Sequence, residues 1–452
     1  MDGNFYGTTG NGGLSDDGTA FTVTSQGTFN DLYSFCYSSI QGCSALYGAN
    51  PRGMILGRDG NFYGVTFDGG TNTNIEACPS GCGTVFKITR GGTVSLVYDF
   101  CAQLGCTDGA APTSLLQGPD GNFYGTTYLA GANTSTARCP IAPYYCGTIF
   151  KLTPQGVLTT LYNFCSQKNC DDGGAGGSLL VASNGNFYGT TVGGGRSSYG
   201  VIFEITPAGN YSVLKSFPFG YGPDFNPLME ASNGDLFGAS EGNNTPSYPG
   251  YIFRLTLSGK FSVLHSFCSQ TGCPDGNTPT GGLVQGTDGS LYGTTREGGP
   301  NNSNYCLNEG CGTIFSISPQ GEFTTLYSFC SLANCADGYS PSEALVQGTD
   351  GEFYGTTSEG DYYGTIFSFD VGLGPNIQAL PGYGKVGHLI RLLGNNLTGT
   401  TGVTFNGTPA AFNVMSDTLV LTTVPAGATN GAIGLTTSSG TLSTAEPFII
   451  RH

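Results

Sequence analysis

The sequence has no tryptophan, few charged residues and few histidines. Of its 452 residues three are His and 10% are charged, against roughly 25% charged residues in ordinary domains. Lys and Arg number 15 and Asp and Glu number 31, so the net charge is −16. A surface this acidic repels phosphate backbones and anionic lipid. Nucleic acid is therefore not an expected partner.

Several familiar motifs are also missing. No run of 18 apolar residues occurs, so no membrane-spanning helix is expected. There is no P-loop, Asp-x-Asp-x-Asp-Gly calcium loop or Cys-x2-Cys, and only three His residues could serve a hydrolase triad. A triad and a cofactor are therefore not expected, and a metal has only weak support. The chain opens at Met1 on a strand pattern, without a signal peptide.

Glycine and cysteine are abundant. The 76 Gly residues exclude a helix bundle, and because they do not fall at every third position they exclude collagen. The 16 Cys residues form eight close pairs: Cys36/Cys43, Cys78/Cys82, Cys101/Cys106, Cys139/Cys146, Cys165/Cys170, Cys268/Cys273, Cys306/Cys311 and Cys330/Cys335. Eight local disulfides require an oxidising compartment, so the expected location is extracellular or on the cell surface.

One motif recurs seven times, with spacings of 57, 61, 64, 49, 55 and 62 residues. It reads DGNFYGTT or a close variant and starts at Asp2, Asp59, Asp120, Asn184, Asn233, Asp288 and Asp350. A Gly-x-x-Phe pattern follows each copy, centred on Phe21, Phe86, Phe150, Phe203, Phe253, Phe315 and Phe367. Each repeat therefore predicts four short strands. Seven such units predict an all-β, seven-bladed β-propeller over residues 1–371.

The predicted turns differ in length. The first-to-second and third-to-fourth turns are tight, whereas the second-to-third loops and the loops between repeats are long and carry all the cysteines. In an antiparallel meander both long classes emerge at one end, called here the disulfide-rich face. Binding residues are expected there.

The matching stretches DGNFYGTT, GTIFKLT and TTLYNF resemble GloVer repeats, a bacterial tandem-repeat family, over about residues 1–370. The resemblance implies a secreted or cell-surface protein without a settled activity. Residues 375–452 differ, with no Cys and Thr/Val/Gly-rich alternation. They resemble the IPT/TIG family, which implies an immunoglobulin-like β-sandwich acting as a spacer. The linker between the two is expected at residues 372–375.

Candidate binding residues lie just after each second strand, where the repeat pattern breaks. Acidic residues gather there in four repeats, and we expect them to converge with nearby Arg and Tyr around one channel mouth. The predicted ligand-binding residues are Asp68, Tyr128, Glu241, Arg296, Glu297, Glu359, Asp361 and Tyr362. Aromatic residues outside the repeated strand positions could add a sugar-stacking platform; they are Phe67, Tyr128, Tyr144, Tyr145, Tyr199, Tyr221, Phe225, Tyr248, Tyr305, Tyr339 and Tyr362.

Two other recurring features favour structural roles. An Asp-Gly after the second Cys of a pair recurs at Asp108, Asp172, Asp275 and Asp337, where the carboxylate fixes a turn or, alternatively, contacts Ca²⁺ or sugar. His265 replaces a repeated Tyr on the fourth strand. It is interpreted as a surface strand residue rather than a catalytic base.

Two classes of function remain. The preferred hypothesis is a surface binding module with a glycan or cell-surface partner. The alternative is a polysaccharide hydrolase or lyase that uses Glu241, Glu297 and Glu359 as acid and base; a purely structural spacer is the third possibility. The first repeat lacks its first strand and the seventh its fourth, so we expect an upstream segment to complete them, with residues 371–379 as a partial substitute. The open edges would otherwise favour self-association.

Overall fold

A computed structural model describes residues 4–24, 26–36, 44–73, 76, 78–133, 146–245, 248–301, 306, 310–360 and 364–451. In this part of the chain the regular elements are β-strands and five 3₁₀ turns, Ala45–Tyr47, Leu104–Cys106, Lys168–Cys170, Ala333–Cys335 and Leu397–Gly399. No helix among these residues is long and apolar enough to cross a membrane. The chain divides into two compact units, residues 3–227 and residues 228–452 with 1–2.

The first unit contains four antiparallel sheets in chain order. The first has three strands, β1 (Phe5–Thr9), β2 (Thr19–Val23) and β3 (Phe29–Ser34). The second has β4 (Ala49–Leu56), β5 (Phe62–Asp68), β6 (Thr84–Ile88) and β7 (Val94–Asp99). The third has β8 (Ala110–Gln117), β9 (Phe123–Leu129), β10 (Thr148–Leu152) and β11 (Leu158–Asn163). The fourth has β12 (Gly174–Val181), β13 (Phe187–Gly193), β14 (Val201–Ile205) and β15 (Tyr211–Ser216).

The second unit continues the series and ends in a different arrangement. The fifth sheet has β16 (Met229–Glu230), β17 (Leu236–Thr245), β18 (Tyr248–Leu255) and β19 (Phe261–Ser266). The sixth has β20 (Asn277–Gln285), β21 (Leu291–Glu297), β22 (Thr313–Ile317) and β23 (Phe323–Ser328). In the seventh, β24 (Tyr339–Pro341) and β25 (Val346–Gln347) both pair with β26 (Phe353–Glu359), which also pairs with β27 (Thr365–Phe369).

Residues 376–450 form two four-stranded sheets and a two-stranded pair. The strands are β28 (Gln378–Leu380), β29 (Tyr383–Gly384), β30 (Leu389–Leu393), β31 (Thr400–Phe405), β32 (Thr408–Pro409), β33 (Phe412–Ser416), β34 (Leu419–Thr423), β35 (Ile433–Thr437), β36 (Gly440–Ser443) and β37 (Ile449–Ile450). One sheet has the order β28-β30-β34-β33 and the other β32-β31-β35-β36, while β29 pairs with β37. Buried residues of both sheets, such as Leu392 and Phe405, belong to one core cluster.

The two repeated sequence patterns are cross-strand partners. In every sheet of the series, the second Gly of DGNFYGTT pairs with the Phe of Gly-x-x-Phe on the third strand: Gly7↔Phe21, Gly64↔Phe86, Gly125↔Phe150, Gly189↔Phe203, Gly238↔Phe253, Gly293↔Phe315 and Gly355↔Phe367. The absence of a side chain on the Gly leaves room for the ring, which would lie 2.5 Å from a Cβ at Gly125. The motif is therefore a packing device.

The remaining aromatic residues of the motif join one sheet to the next. Within each unit, the Tyr of one copy stacks against the Phe of the following copy: Tyr6–Phe62, Tyr63–Phe123, Tyr124–Phe187 and Tyr292–Phe353, with ring centroids 4.2 to 4.4 Å apart. The Phe after the fourth strand packs on the next sheet, as in Phe100–Phe150 at 5.2 Å. Such aromatic pairs dominate the energetics of a core.

The expected incompleteness of the first and seventh sheets is confirmed for the described residues. The first sheet begins at the second strand of its repeat, and the seventh ends at its third. Residues 371–379 do not replace the missing strand by pairing, because β28 pairs with β30. Instead Val371 and Leu373 pack against the seventh sheet's core.

We expect Gly125→Ala to lower the free energy of unfolding by about 1–3 kcal/mol, since its Cβ would overlap the buried Phe150 ring. Gly374→Ala is the matched control, because no atom lies within 4 Å of its added Cβ, and we expect a change within about 0.5 kcal/mol. Chemical denaturation measures both. Equal effects of the two substitutions would contradict the packing role.

The turn that opens each motif is held by its Asp. Asp120 accepts hydrogen bonds from the Asn122 backbone N–H at 3.1 Å and from Tyr124 Oη at 2.8 Å, and pairs with Lys151 Nζ at 2.8 Å. Burial alone would raise the pKa of Asp120, but these donors outweigh it and lower the pKa to about 2. Asn184 fills the same position in the fourth sheet, with the same backbone contact, so the turn accepts Asn.

Asp120→Asn should therefore cost at most about 1 kcal/mol at pH 7, because the ion pair is partly exposed. A depressed folded-state pKa stabilises the fold above the unfolded value near 4 and loses that contribution as pH falls towards 2. The difference between the two proteins should shrink over this interval in denaturation curves. A difference that stays constant with pH would contradict this assignment.

Candidate functional site

In three repeats the cysteines of the second-to-third loop and of the following inter-sheet loop lie close together, and the described disulfides join cysteines four or five residues apart within one loop. Sγ atoms from a second-to-third loop and from the following inter-sheet loop lie within 4.8 Å of one another in three clusters: Cys78, Cys82 and Cys101; Cys146, Cys165 and Cys170; and Cys306, Cys311 and Cys330. The geometry thus supports the disulfide-rich face predicted from loop lengths.

Six of the predicted disulfides are present: Cys78–Cys82, Cys101–Cys106, Cys165–Cys170, Cys268–Cys273, Cys306–Cys311 and Cys330–Cys335. Cys43 and Cys139 lie outside the described residues. Because the Cys clusters consist of disulfide-bonded residues, their sulfurs are not available as thiolate ligands for a metal.

The Asp of each Cys-x-Asp-Gly closes its disulfide loop. Asp108 accepts hydrogen bonds from Tyr98 Oη at 2.8 Å and from the Ala102 backbone N–H at 3.0 Å. The same pattern holds at Asp172, with Tyr162 and Ser166, and at Asp337, with Tyr327 and Ser331. These contacts favour the structural interpretation of the recurring Asp over a ligand contact.

We call this hydrogen bond between the fourth strand and the loop Asp, together with the Asp's backbone contact, the Tyr–Asp clamp. His265 takes the place of the Tyr in the clamp formed with Asp275. Its Nε2 lies 2.9 Å from Asp275 Oδ2, and the backbone N–H of Cys268 donates to the other oxygen at 3.0 Å. The imidazole stacks on Phe323 with a centroid separation of 3.8 Å. His265 is thus half-buried and paired, rather than exposed on the strand surface as the sequence analysis expected.

The predicted acidic site residues occupy different environments. Glu297 is only 8% exposed, and it accepts hydrogen bonds from Arg296 Nη2 and Thr278 Oγ1, each at 3.4 Å. Glu359 is exposed and accepts from Tyr339 Oη at 3.5 Å. Burial of the Glu297 carboxylate reduces its access to a ligand.

The other predicted residues are divided between the two units. Asp68 accepts a hydrogen bond from Asn50 Nδ2 at 3.2 Å in the first unit, which also contains Tyr128. Glu241 is half-buried in β17 of the second unit. Asp361 and Tyr362 lie outside the described residues. The proposed convergence of this set around one mouth therefore stays a prediction.

Strand alternation explains the difference in burial at the ends of the second strands. The second residue after Thr-Thr, at Leu129 or Glu297, is buried, whereas the first, at Tyr128 or Arg296, is more open. Successive side chains of a strand point to opposite faces. The first position is therefore the better source of ligand contacts. The predicted set contains both positions, with Tyr128, Glu241 and Arg296 at the first and Asp68, Glu297 and Glu359 at the second.

A row of aromatic rings occupies that first position in the first unit. Phe67 and Tyr128 end the second strands of neighbouring sheets, with ring centroids 5.9 Å apart. Phe225, which is 46% exposed, continues the row 5.6 Å from Tyr128. The guanidinium carbon of Arg52 lies 4.9 Å from the centroid of Phe67 at the other end. We call the three rings, Phe67, Tyr128 and Phe225, the aromatic row.

The segment that carries Phe225 is fixed by its backbone. The carbonyl of Asn226 accepts a hydrogen bond from Ser178 Oγ at 3.1 Å. A Cβ on Gly177 would lie 2.9 Å from the Asp224 carbonyl oxygen, so a glycine permits this close approach. The preorganised segment holds Phe225 beside Tyr128.

Two residues of this region were not singled out in the sequence. Arg52 lies in β4, a first strand, and not in a long loop. Asp224 has a φ of +44°, and burial raises the pKa of its carboxyl group. Left-handed backbone at a non-glycine residue often accompanies function, but the sequence gives no sign of it. The signal available was the neighbouring Phe225 in a loop.

Comparison with known proteins assigns the family. The sequence matches the Gloeobacter/Verrucomicrobia repeat in overlapping segments, residues 1–227, 73–307 and 220–408. The chain belongs to this repeat family, which confirms the resemblance of its tandem copies. No curated protein matches the sequence.

Solved structures with a related arrangement are distant. The extracellular domain of a putative hybrid two-component system from B. thetaiotaomicron is 9% identical, with a TM-score of 0.47 and coverage of 96% of this chain and 56% of that chain. PorZ, a surface component of the type-IX secretion system of Porphyromonas gingivalis, is 13% identical, with a TM-score of 0.48 and coverage of 100% and 58%. The chain thus spans a little over half the length of either protein.

The clamp role of His265 predicts different results for two substitutions. His265→Tyr should leave the melting temperature almost unchanged, because Tyr occupies this position before Asp108, Asp172 and Asp337. His265→Phe should lower the free energy of unfolding by about 1–3 kcal/mol, since it leaves Asp275 without its side-chain donor. Thermal and chemical denaturation measure both. Equal tolerance of Phe and Tyr would refute the clamp.

Proposed function

We propose that this chain is an exported surface protein whose seven sheets are the blades of a β-propeller that binds a glycan on its disulfide-rich face. Consecutive four-stranded sheets that stack through repeated aromatic pairs are the arrangement found in propellers. Disulfides persist in oxidising compartments, which supports export.

The aromatic row carries the proposal. Aromatic faces pack against the C–H faces of sugar rings while polar groups fix the hydroxyls, as in small-molecule sites that combine apolar walls with few polar groups. Neighbouring ring centroids of the row are 5.9 and 5.6 Å apart. Phe67 in β5 and Tyr128 in β9 are half-buried, and Phe225 is exposed. A platform of this extent suits an oligosaccharide of several units.

Polar groups flank the row. Asp68 follows Phe67 directly and Asp224 precedes Phe225, and Arg52 lies over the Phe67 ring. Carboxylates accept from sugar hydroxyls and a guanidinium donates to them. Arg52 is the charged side chain that lies against a ring of the row, and it is proposed to donate to a sugar hydroxyl beside that ring. Asp68 and Asp224 neighbour row residues in sequence. The other predicted ligand residues, in the second unit, are proposed to contribute to the same face.

The alternative function is polysaccharide cleavage. Asp224 favours it, because a carboxyl group whose pKa is raised by burial is the form that a general acid requires. Glu241, Glu297 and Glu359 are the other carboxylates proposed for this role. Release of new reducing ends from a bound polysaccharide would identify the enzyme, and binding without product would identify the module.

The C-terminal sheets are proposed to be an IPT/TIG-like spacer. Two four-stranded sheets over one core, within residues 375–452, are the arrangement of an immunoglobulin-like sandwich. The edges of the three-stranded first sheet and of the seventh are proposed sites of self-association, because unpaired strand edges can pair with another chain.

The proposed function predicts loss of glycan binding when the row is interrupted. Polysaccharides immobilised on an array identify a ligand, and titration calorimetry then measures affinity for the wild type and variants. Tyr128→Ala and Phe225→Ala should each weaken binding at least tenfold, since central aromatic contacts dominate recognition. The melting temperature should change little for Phe225→Ala, whereas Tyr128→Ala also removes a half-buried ring that packs against a core cluster and should lower it.

Phe219→Ala is the matched control. Phe219 is 59% exposed in the same connection as Phe225, and its ring contacts Tyr199. Its loss should leave affinity unchanged. Retained binding in both row variants, or the same loss in the control, would refute the placement of the site.

A further inference from the structure

The position of Arg52 has a structural role in other sheets. It is the residue that follows the Pro of the first strand, and Thr stands there in the third and sixth sheets. Thr113 Oγ1 donates to the Gly176 carbonyl of the next sheet at 2.8 Å, and Thr280 Oγ1 donates to the Pro341 carbonyl at 3.0 Å. These bonds connect neighbouring sheets. Arg52 departs from this pattern, because its side chain lies over the Phe67 ring instead.

A β-bulge sets the direction of the Arg52 side chain. The pairing of β4 with β5 shifts between Pro51 and Met54, so that Arg52 and Gly53 together face one residue of β5. Gly53 has a φ of +86°, and its backbone N–H donates to Thr8 Oγ1 of the first sheet at 3.0 Å. Bulges of this kind redirect a side chain. The backbone that carries Arg52 is therefore anchored to the neighbouring sheet.

The charge of Arg52 is not neutralised within the described ranges. Its exposed guanidinium forms no ion pair or hydrogen bond with a described side chain, whereas Lys87, for example, pairs with Asp59 at 2.8 Å. The contact with the Phe67 ring holds the guanidinium in place but supplies no acceptor for its N–H groups. The chain has 31 acidic and 15 basic residues. An arginine without a carboxylate partner on such a chain is available to an external anion.

We propose that the glycan bound by the aromatic row contains a uronic acid residue, whose carboxylate pairs with Arg52. This inference rests on the glycan binding proposed above and specifies the acceptor that Arg52 meets as a carboxylate. A guanidinium presents two parallel N–H donors that match the two oxygens of a carboxylate. The rings of the row pack against the C–H faces of the sugars. Arg52 is therefore the residue that determines specificity for an acidic sugar.

The net charge of −16 restricts the kind of acidic glycan. A polyuronate has a carboxylate on every sugar, and an acidic surface repels such a polyanion. One arginine at one end of the row neutralises one carboxylate, while Tyr128 and Phe225 offer apolar faces to the other sugars. A glycan with isolated uronates separated by neutral sugars fits this arrangement.

Matched oligosaccharides test the proposal by titration calorimetry of the full chain. An array of neutral oligosaccharides, and of the same oligosaccharides with a single glucuronate or galacturonate, identifies the tightest ligand. Reduction of its carboxyl group to a primary alcohol gives a neutral form of equal size, and sulfation of that alcohol gives a second anionic form. We expect the uronate form to bind at least tenfold more tightly than the reduced form, and more tightly than the sulfate ester.

Arg52→Gln should remove the difference between the uronate and reduced forms and leave the affinity for the reduced form unchanged. Arg52→Lys should retain only part of the difference, because lysine lacks the planar pair of donors. Arg196→Gln is the matched control, since Arg196 is exposed in a second-to-third loop of the same unit. It should leave both affinities unchanged.

The outcomes separate this inference from the proposed function. Equal affinity for the uronate and reduced forms, or a difference that persists in Arg52→Gln, would overturn the inference and leave the glycan site in place. Tighter binding of the sulfate ester would also overturn it, in favour of a sulfated sugar. Absence of binding to every oligosaccharide on the array would refute the proposed function and the inference together.

Discussion

The close approach of the second and third strands is the constraint on which the sheets of this protein depend. A glycine on the second strand faces a phenylalanine on the third, and the ring occupies the space that a side chain would fill. That ring then receives the aromatic residue from the preceding sheet, as Phe150 receives Phe100. One cross-strand pair thus sets both the spacing within a sheet and the packing between neighbouring sheets. This packing explains the repeated Gly, Phe and Tyr of DGNFYGTT, and the Asp holds the turn that opens the motif.

Where the repeated packing ends, the side chains become free to differ. In each sheet the residues just after the repeated Thr-Thr lie beyond the Gly–Phe pair. They differ between repeats, as Tyr128, Arg296 and Ser358 show. Around them the disulfides and the Tyr–Asp clamps hold long loops at little cost in core volume. The loops are therefore anchored, as a preorganised binding surface requires.

Departures from the repeat are informative because the other copies show what is missing. Gln117 and Gln285 each span two neighbouring sheets, whereas Gln347 makes only one of the two side-chain contacts. The C-terminal sheets pack beside this region and leave a cavity lined by Leu345, Ile377 and Phe448. His265 is a departure of another kind, since it keeps the clamp with different chemistry. Comparison among copies thus separates a substitution that preserves a contact from one that leaves a contact open.

The sequence by itself determined the strands, the tight turns, the short disulfides and the incomplete end sheets, because these depend on residues less than about ten positions apart. Asp120 and its turn partners are an example. Only the tertiary structure decided which side chains meet across sheets: that Phe225 joins Phe67 and Tyr128, that Glu297 is buried, and that Gln347 lacks a donor. These outcomes follow from side-chain direction at strand ends, where one residue reverses the face, and from contacts between segments distant in sequence. Neither leaves a local pattern in the chain.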